Sequence, residues 1–335
     1  MKKTIIWFIT LSYTFLFAET SFLLEAKEGI KIIGDESITF LSVDRENMSI
    51  SKSQNIELSR IHSRDILGNM PCSPLYSCPN KLEEYFRTVG IENNSELLLY
   101  DDNYGVGAAT LFILLESIGH EKMKILNGGS HSINHLDPNR KIYERYIVEL
   151  KKIRNKLLPD NNASSEMYKK DKSSIIKKLK LLKPLLLVDT YIDKNLSKTN
   201  YTVDRKKFNM DYILSRNQLN DIVKSVKEKG KNSNMKIIDS CSMIDIIGSN
   251  DGSYLPGVLT LNWYETIDYE KKGYKTKESL EKIFLQHGLD KENEYYLYCM
   301  SGSPKAFYLL MAMRIAGYEK VKAFSGDWDS WKGGL

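Results

Sequence analysis

Two stretches decide how this chain folds: LLLYDDNYGVGAATLFILLESIGHEKMKILNGG at residues 97–129, and YYLYCMSGSPKAFYLLMAMRIAGYEKVKAFSGD at residues 295–327. Their landmarks fall at equal spacing. Tyr100-Asp101 answers to Tyr298-Cys299, Gly119-His120-Glu121-Lys122 to Gly317-Tyr318-Glu319-Lys320, and Gly128 to Gly326. Similarity at a fixed register marks a duplicated unit. In each copy a short apolar run (97–100; 295–298) ends in a Gly-containing loop and is too short for a helix, so it reads as a strand. An apolar stretch follows (108–118; 306–316), closed by a Gly suited to a helix C-terminus. A second strand (123–126; 321–324) completes a βαβ unit, which implies a parallel sheet with helices on its faces. Ligands of such sheets bind at the carboxyl ends of strands, where Asp101 and Cys299 fall.

Outside the two copies, residues 37–43 lead to Asp44 and residues 235–238 lead to Asp239, each reading as a strand that opens its half. With 335 residues the chain has room for two domains of ordinary size. The fold class expected is α/β: two domains, each a parallel sheet flanked by helices, with a helical, Lys-rich insertion at 138–204. A hydrophobic fraction of 42% suits globular cores. The net charge of +5 arises from 48 basic against 43 acidic residues and is concentrated in Lys-rich stretches of helical pattern, a solvated surface in preference to a nucleic-acid footprint. At the start, Lys2 and Lys3 precede an apolar run at 5–17 and then Ala18. That is the layout of a secretory signal peptide (1–18), too short to span a bilayer, and it predicts a periplasmic or otherwise exported protein with no further membrane association.

Cys299 directly follows a strand and precedes a Gly-containing loop and a helix. Backbone N–H groups of Met300, Ser301, Gly302, Ser303 and Lys305, together with the positive end of the helix, are placed to hold a thiolate and lower its pKa from about 8.5. Gly302 lets the backbone curl inward, and Pro304 suits the first helical turn, where a missing N–H costs least. Such a thiolate attacks sulfane sulfur and keeps it as a persulfide in the same cradle until an acceptor removes it.

The strings YCMSGSPKA and AGYEKVKAFSGDWDSW resemble the C-terminal module of the rhodanese family, which comprises thiosulfate and 3-mercaptopyruvate sulfurtransferases. That family's pattern is Tyr-Cys-x-Ser-Gly, then Ala-Gly-Tyr, then Gly-Ser-Trp-x-x-Trp, the last appearing here as Gly326-Asp327-Trp328-Asp329-Ser330-Trp331. Residues 254–263, YLPGVLTLNW, are similar to its His-Ile-Pro-Gly-Ala-x-Asn-x-Pro-Trp segment, and Leu99-Tyr100-Asp101 with Leu126-Asn127-Gly128-Gly129 to its N-terminal module. The resemblance implies two rhodanese-like domains: a silent one at 19–137, with Asp101 in the cysteine position, and an active one at 205–335, with Cys299 catalytic. It further implies a substrate loop of Met300 to Lys305, no cofactor or metal, a small sulfur donor, and a thiol or cyanide acceptor. A thioredoxin-like reductant is a further partner on this reading.

The departures are informative. The family's second module opens on a strand ending in Asp-x-Arg with another Arg beyond; this chain has Asp239-Ser240-Cys241 and then Asp245, so an anionic substrate needs another cation, with Lys305 a candidate. Counted back from Gly317, the loop and helix together are one residue longer than the family's pattern, which leaves open an active loop of seven residues instead of six. A wider loop ending in a cation keeps open a Cys-dependent phosphatase or arsenate-reductase chemistry, and the lost arginines keep open a binding module without turnover.

Four cysteines allow three pairings. Cys72 and Cys78, in MPCSPLYSCP, suit a local structural disulfide, and Cys241 ends a strand expected beside that of Cys299, which makes it a redox partner. His131 and His135 are four apart but lack a third ligand and read as loop residues. Asn162 in DNNAS and Asn195 in DKNLS are glycosylation acceptors by pattern.

Overall fold

The computed structural model describes residues 21–44, 49–61, 78–140, 199–230, 233–241, 258–299 and 303–326, with isolated residues between 145 and 188. The proposed signal segment, Cys72, Asn162, Asn195, Met300, Ser301, Gly302, Tyr254, Asp245, the Trp328–Trp331 motif and most of the insertion lie outside them.

Two five-stranded sheets form, each parallel throughout. The first runs in the order Leu23–Glu25, Met123–Asn127, Glu96–Tyr100, Ile38–Val43, Gln54–Ile56. The second runs Ile213–Leu214, Val321–Phe324, Glu294–Tyr298, Met235–Asp239, Leu259–Thr260. Element for element the two orders are the same, so the likeness between the two stretches extends to both halves. Central strands are apolar along nearly their whole length because both faces are covered: Leu97, Leu98, Leu99 and Tyr100 are all buried.

After the central strand of each half comes its helix, Val106–Ser117 or Ser303–Ile315. These begin earlier than the apolar pattern alone predicts. In the first half the reason is Asp101, whose carboxylate accepts from Ala108 N and so draws the chain into helix sooner. The ends match the sequence. Gly119 and Gly317 take left-handed backbone, with φ of 88° and 83°. His120 N donates to Leu115 O and Tyr318 N to Met313 O, both at 3.0 Å, the paired geometry of a Gly-terminated helix.

These two helices are apolar on every side, and a helix of that kind belongs in an interior. They pack on each other, joining the halves into one large core. Glu116 and Arg314 occupy equivalent positions in the two copies and meet there, Arg314 Nη1 and Nη2 donating to Glu116 at 2.7 and 2.8 Å. The guanidinium also lies over Tyr212, 3.8 Å from the ring centroid, and over Phe22 at 4.4 Å.

Part of the insertion region is tied to the first half. Leu187–Val188 pairs antiparallel with Ser49–Ile50, and Arg87 Nε donates to Tyr201 O at 2.8 Å. His131 and His135 are not in a loop, contrary to the sequence expectation. They lie on the helix Gly129–Leu136, one turn apart, with ring nitrogens 2.9 Å from each other. The reason for the miss is that a single short helix, GSHSINHL, carries too few apolar positions to show a period.

Candidate active site

Asp101 shows what the strand-to-helix turn is built to hold. Its carboxylate is buried; Oδ1 accepts from Asn103 N at 2.8 Å and Gly105 N at 2.7 Å, and Oδ2 accepts from Ala108 N at 2.8 Å. Burial raises its pKa, and the surrounding backbone N–H groups oppose that shift. The turn is thus an anion cradle made of peptide, filled in this half by the protein's own carboxylate. In the second half the same register places Cys299 at the Asp101 position and Ala306 at that of Ala108.

Cys299 is 1% exposed, at the end of the central strand Glu294–Tyr298. Tyr298 is in register with Asp239 on the neighbouring parallel strand Met235–Asp239. The chain just beyond that strand is pinned to the active strand: Ser240 N and Ser240 Oγ both donate to Tyr298 O, at 2.9 and 2.8 Å. Cys241 N donates to Asp239 Oδ1 at 2.8 Å, a turn that brings Cys241 over its neighbour. The two cysteines are joined as a disulfide, their Cα atoms 5.0 Å apart. Cys241 is itself fully buried.

Of the loop residues named from sequence, Ser303, Pro304 and Lys305 start the helix Ser303–Ile315. Pro304 falls in the first turn, where no N–H is required. Lys305 Nζ lies 5.9 Å from the Trp263 ring centroid. Trp263 is held to the same strand tip, its backbone N–H donating to Ser240 O at 3.1 Å. A cation, an indole and two sulfurs therefore share one sheet edge. Cys78 sits at the N-cap of the helix Pro79–Val89, and its predicted partner Cys72 is outside the described residues. Among the described residues, no group of three or more metal-ligating side chains occurs.

The fold is that of known sulfur-handling proteins. The chain superimposes on SseA from Escherichia coli, a structure titled for 3-mercaptopyruvate sulfotransferases and the rhodanese fold, with a TM-score of 0.64 and 18% identity over 92% of this chain and 99% of that one. This is a tandem rhodanese-fold protein. Tum1 from Saccharomyces cerevisiae matches with a TM-score of 0.62 and 17% identity, covering 92% of this rhodanese-fold chain and 94% of Tum1. By sequence, a Mycolicibacterium smegmatis protein with the provisional name thiosulfate sulfurtransferase is 27% identical over 78 residues, 23% of this chain. The match spans only 28% of that relative's length. No protein-family model matches the sequence.

A docking element absent from the sequence reading sits between the two rhodanese-like halves. The hairpin Ile267–Asp268 with Gly273–Tyr274 reaches from the second half onto the strand end of the first. There Tyr274 N donates to Asn127 Oδ1 at 2.7 Å, and Ser132 Oγ donates to Lys271 O at 2.9 Å. A Cβ on Gly273 would stand 2.2 Å from Asn127 Oδ1 and 2.6 Å from Gly128 N, so only Gly permits this approach. Tyr274 stacks on Tyr308 with centroids 4.2 Å apart. Burial first, then neighbouring phenols and Asp101, hold both phenols well above the usual tyrosine range, so they stay neutral. Only Asn127 had any sequence signal, from its place in Leu126-Asn127-Gly128-Gly129. The tyrosines had none: Tyr308, a buried aromatic on an apolar helix, looks like core, and Tyr274 lies on a two-residue strand too short to show a pattern.

Proposed function

We propose that this protein is a sulfurtransferase that moves sulfane sulfur from a small donor to a thiophilic acceptor through a persulfide on Cys299. The observation that supports the reading is a correspondence of positions: Cys299 stands in register where the first half has Asp101, whose carboxylate accepts from three backbone N–H groups. With thiosulfate, the Cys299 thiolate attacks the outer sulfur, the sulfur–sulfur bond of the donor breaks, and sulfite leaves with its electron pair. With 3-mercaptopyruvate the donor's carbon–sulfur bond breaks, and the electron pair leaves on carbon as the enolate of pyruvate, which takes up a proton from solvent. The persulfide's terminal sulfur then occupies the anion cradle, and an acceptor thiolate or cyanide removes it and restores the thiolate. Lys305 beside Trp263 is the cation nearest in chain to the nucleophile and supplies attraction for an anionic donor in place of the absent arginines. The signal-like start supports an exported location, where the Cys241–Cys299 disulfide persists until a dithiol reduces it.

Incubation of the reduced full chain with thiosulfate or 3-mercaptopyruvate tests this. The expected result is release of sulfite or pyruvate from the donor, thiocyanate when cyanide is present together with the donor, and loss of both in Cys299→Ser. If neither donor loads the protein, the sulfurtransferase reading is overturned.

A further inference from the structure

We infer that Cys241 is a resolving cysteine, which discharges the Cys299 persulfide as hydrosulfide and hands the oxidation to an external dithiol. The inference rests on the sulfurtransferase reading and adds the fate of the sulfur.

Adjacent parallel strands bring the two residues together from a sequence separation of 58, with Cα atoms 5.0 Å apart, inside the range that lets one sulfur reach the other without moving the backbone. Five hydrogen bonds fix the approach. Ser240 donates twice to Tyr298 O, Cys241 N donates to Asp239 Oδ1, and Leu261 N and Trp263 N donate to Asp239 O and Ser240 O at 3.0 and 3.1 Å. Cys241 thus sits on a pinned turn at the reacting atom. Intramolecular attack from such a position corresponds to effective concentrations of about 10⁵ M or more in favourable cases, against millimolar external thiols. Burial of both cysteines adds to the bias, because a bulky acceptor has poor access to Cys299 Sγ while Cys241 already touches it.

The step balances. The Cys241 thiolate attacks Cys299 Sγ, the inner sulfur of the persulfide; the Sγ–Sγ bond forms, the bond from Sγ to the terminal sulfur breaks, and hydrosulfide leaves with the electron pair. The donor's sulfane sulfur is thereby reduced to sulfide, and the two cysteines are oxidised to the disulfide. A dithiol of the thioredoxin class then reduces that disulfide by exchange, becoming oxidised itself, and both thiols return.

The test uses the full chain, reduced and then freed of reductant, with thiosulfate or 3-mercaptopyruvate as donor and no added thiol. Wild type is expected to release one sulfide per chain while the cross-linked Cys241–Cys299 peptide appears in the same time course. Cys241→Ala is expected to keep the extra sulfur on Cys299 and to release sulfide at least about tenfold more slowly. A wild type that accumulates the persulfide as Cys241→Ala does, without sulfide or cross-link, overturns the inference and leaves the sulfurtransferase reading standing. Failure of both proteins to load sulfur overturns the two together. Should Cys241→Ala not fold, the wild-type time course decides alone, since sulfide without cross-link is also against a resolving role.

Discussion

A carboxylate buried among peptide N–H groups satisfies donors that would otherwise open the turn. Asp101 does this for Asn103, Gly105 and Ala108. Asp101→Leu leaves those donors without their acceptor, the Ala108 N–H in the interior and the other two nearer the surface; a charge-assisted bond is worth about 1.5–3 kcal/mol, so a loss of roughly 3 kcal/mol is expected in urea unfolding. Asp101→Asn replaces one accepting oxygen by a donor facing a donor, and a smaller loss is expected. A Leu variant as stable as wild type would show that the cradle is not held by its anion. At this scale the sequence was informative because position in the repeat assigned Asp101 to the turn. What it did not contain was the number of amides that converge on it.

The loop-capped helices show how local chemistry fixes element ends and how the two copies have diverged. His120 and Tyr318 follow the capping glycines at equivalent positions, and each anchors its turn to the loop before the central strand: His120 Nε2 donates to Ser95 O, and Tyr318 Oη donates to Leu289 O, both at 3.0 Å. The phenol does not titrate near neutrality; the imidazole does. Burial, its largest influence, lowers the pKa of His120, so the folded state prefers the neutral ring. The unfolded chain therefore takes up this proton first as pH falls. The contribution of His120 to stability is complete above about 6.5 and is lost as pH drops below that value. His120→Gln removes this component, and its urea midpoint should vary less between pH 7 and pH 5 than that of wild type. Equal slopes would refute the assignment. The helix ends were legible because Gly119 and Gly317 are the residues a left-handed backbone requires. The helix starts were not, because the Asp101 cap comes from the preceding strand end.

Across the whole molecule, two similar halves meet through their equivalent helices, which brings one pair of equivalent positions face to face. Identical charged residues there would repel each other. Glu116 and Arg314 have diverged to opposite sign and form a two-pronged pair, with Arg314 only 7% exposed and Glu116 23%. Breaking a fully buried pair costs about 3–5 kcal/mol; the partial exposure of Glu116 brings the expectation for Arg314→Met to about 2–3 kcal/mol. Glu116→Gln in the same background should recover part of it, and an additive cycle by urea denaturation would show that the two side chains do not couple. Among the described residues no helix is long and apolar enough to cross a membrane. The largely apolar helices Val106–Ser117 and Ser303–Ile315 are accounted for by each other.

The sequence by itself determined the duplicated βαβ units, their parallel sheets, the glycine-ended helices, and the placement of Asp101 and Cys299 at strand ends. Those features rest on local spacing and on the backbone preferences of single residues, which a linear pattern carries. The Glu116–Arg314 contact and the seating of the Ile267–Tyr274 hairpin on Asn127 were decided only by tertiary structure, which also joins Cys241 to Cys299, one of the pairings that the sequence left open. Each joins residues far apart in the chain, and their meeting follows from strand order and from how one half packs against the other.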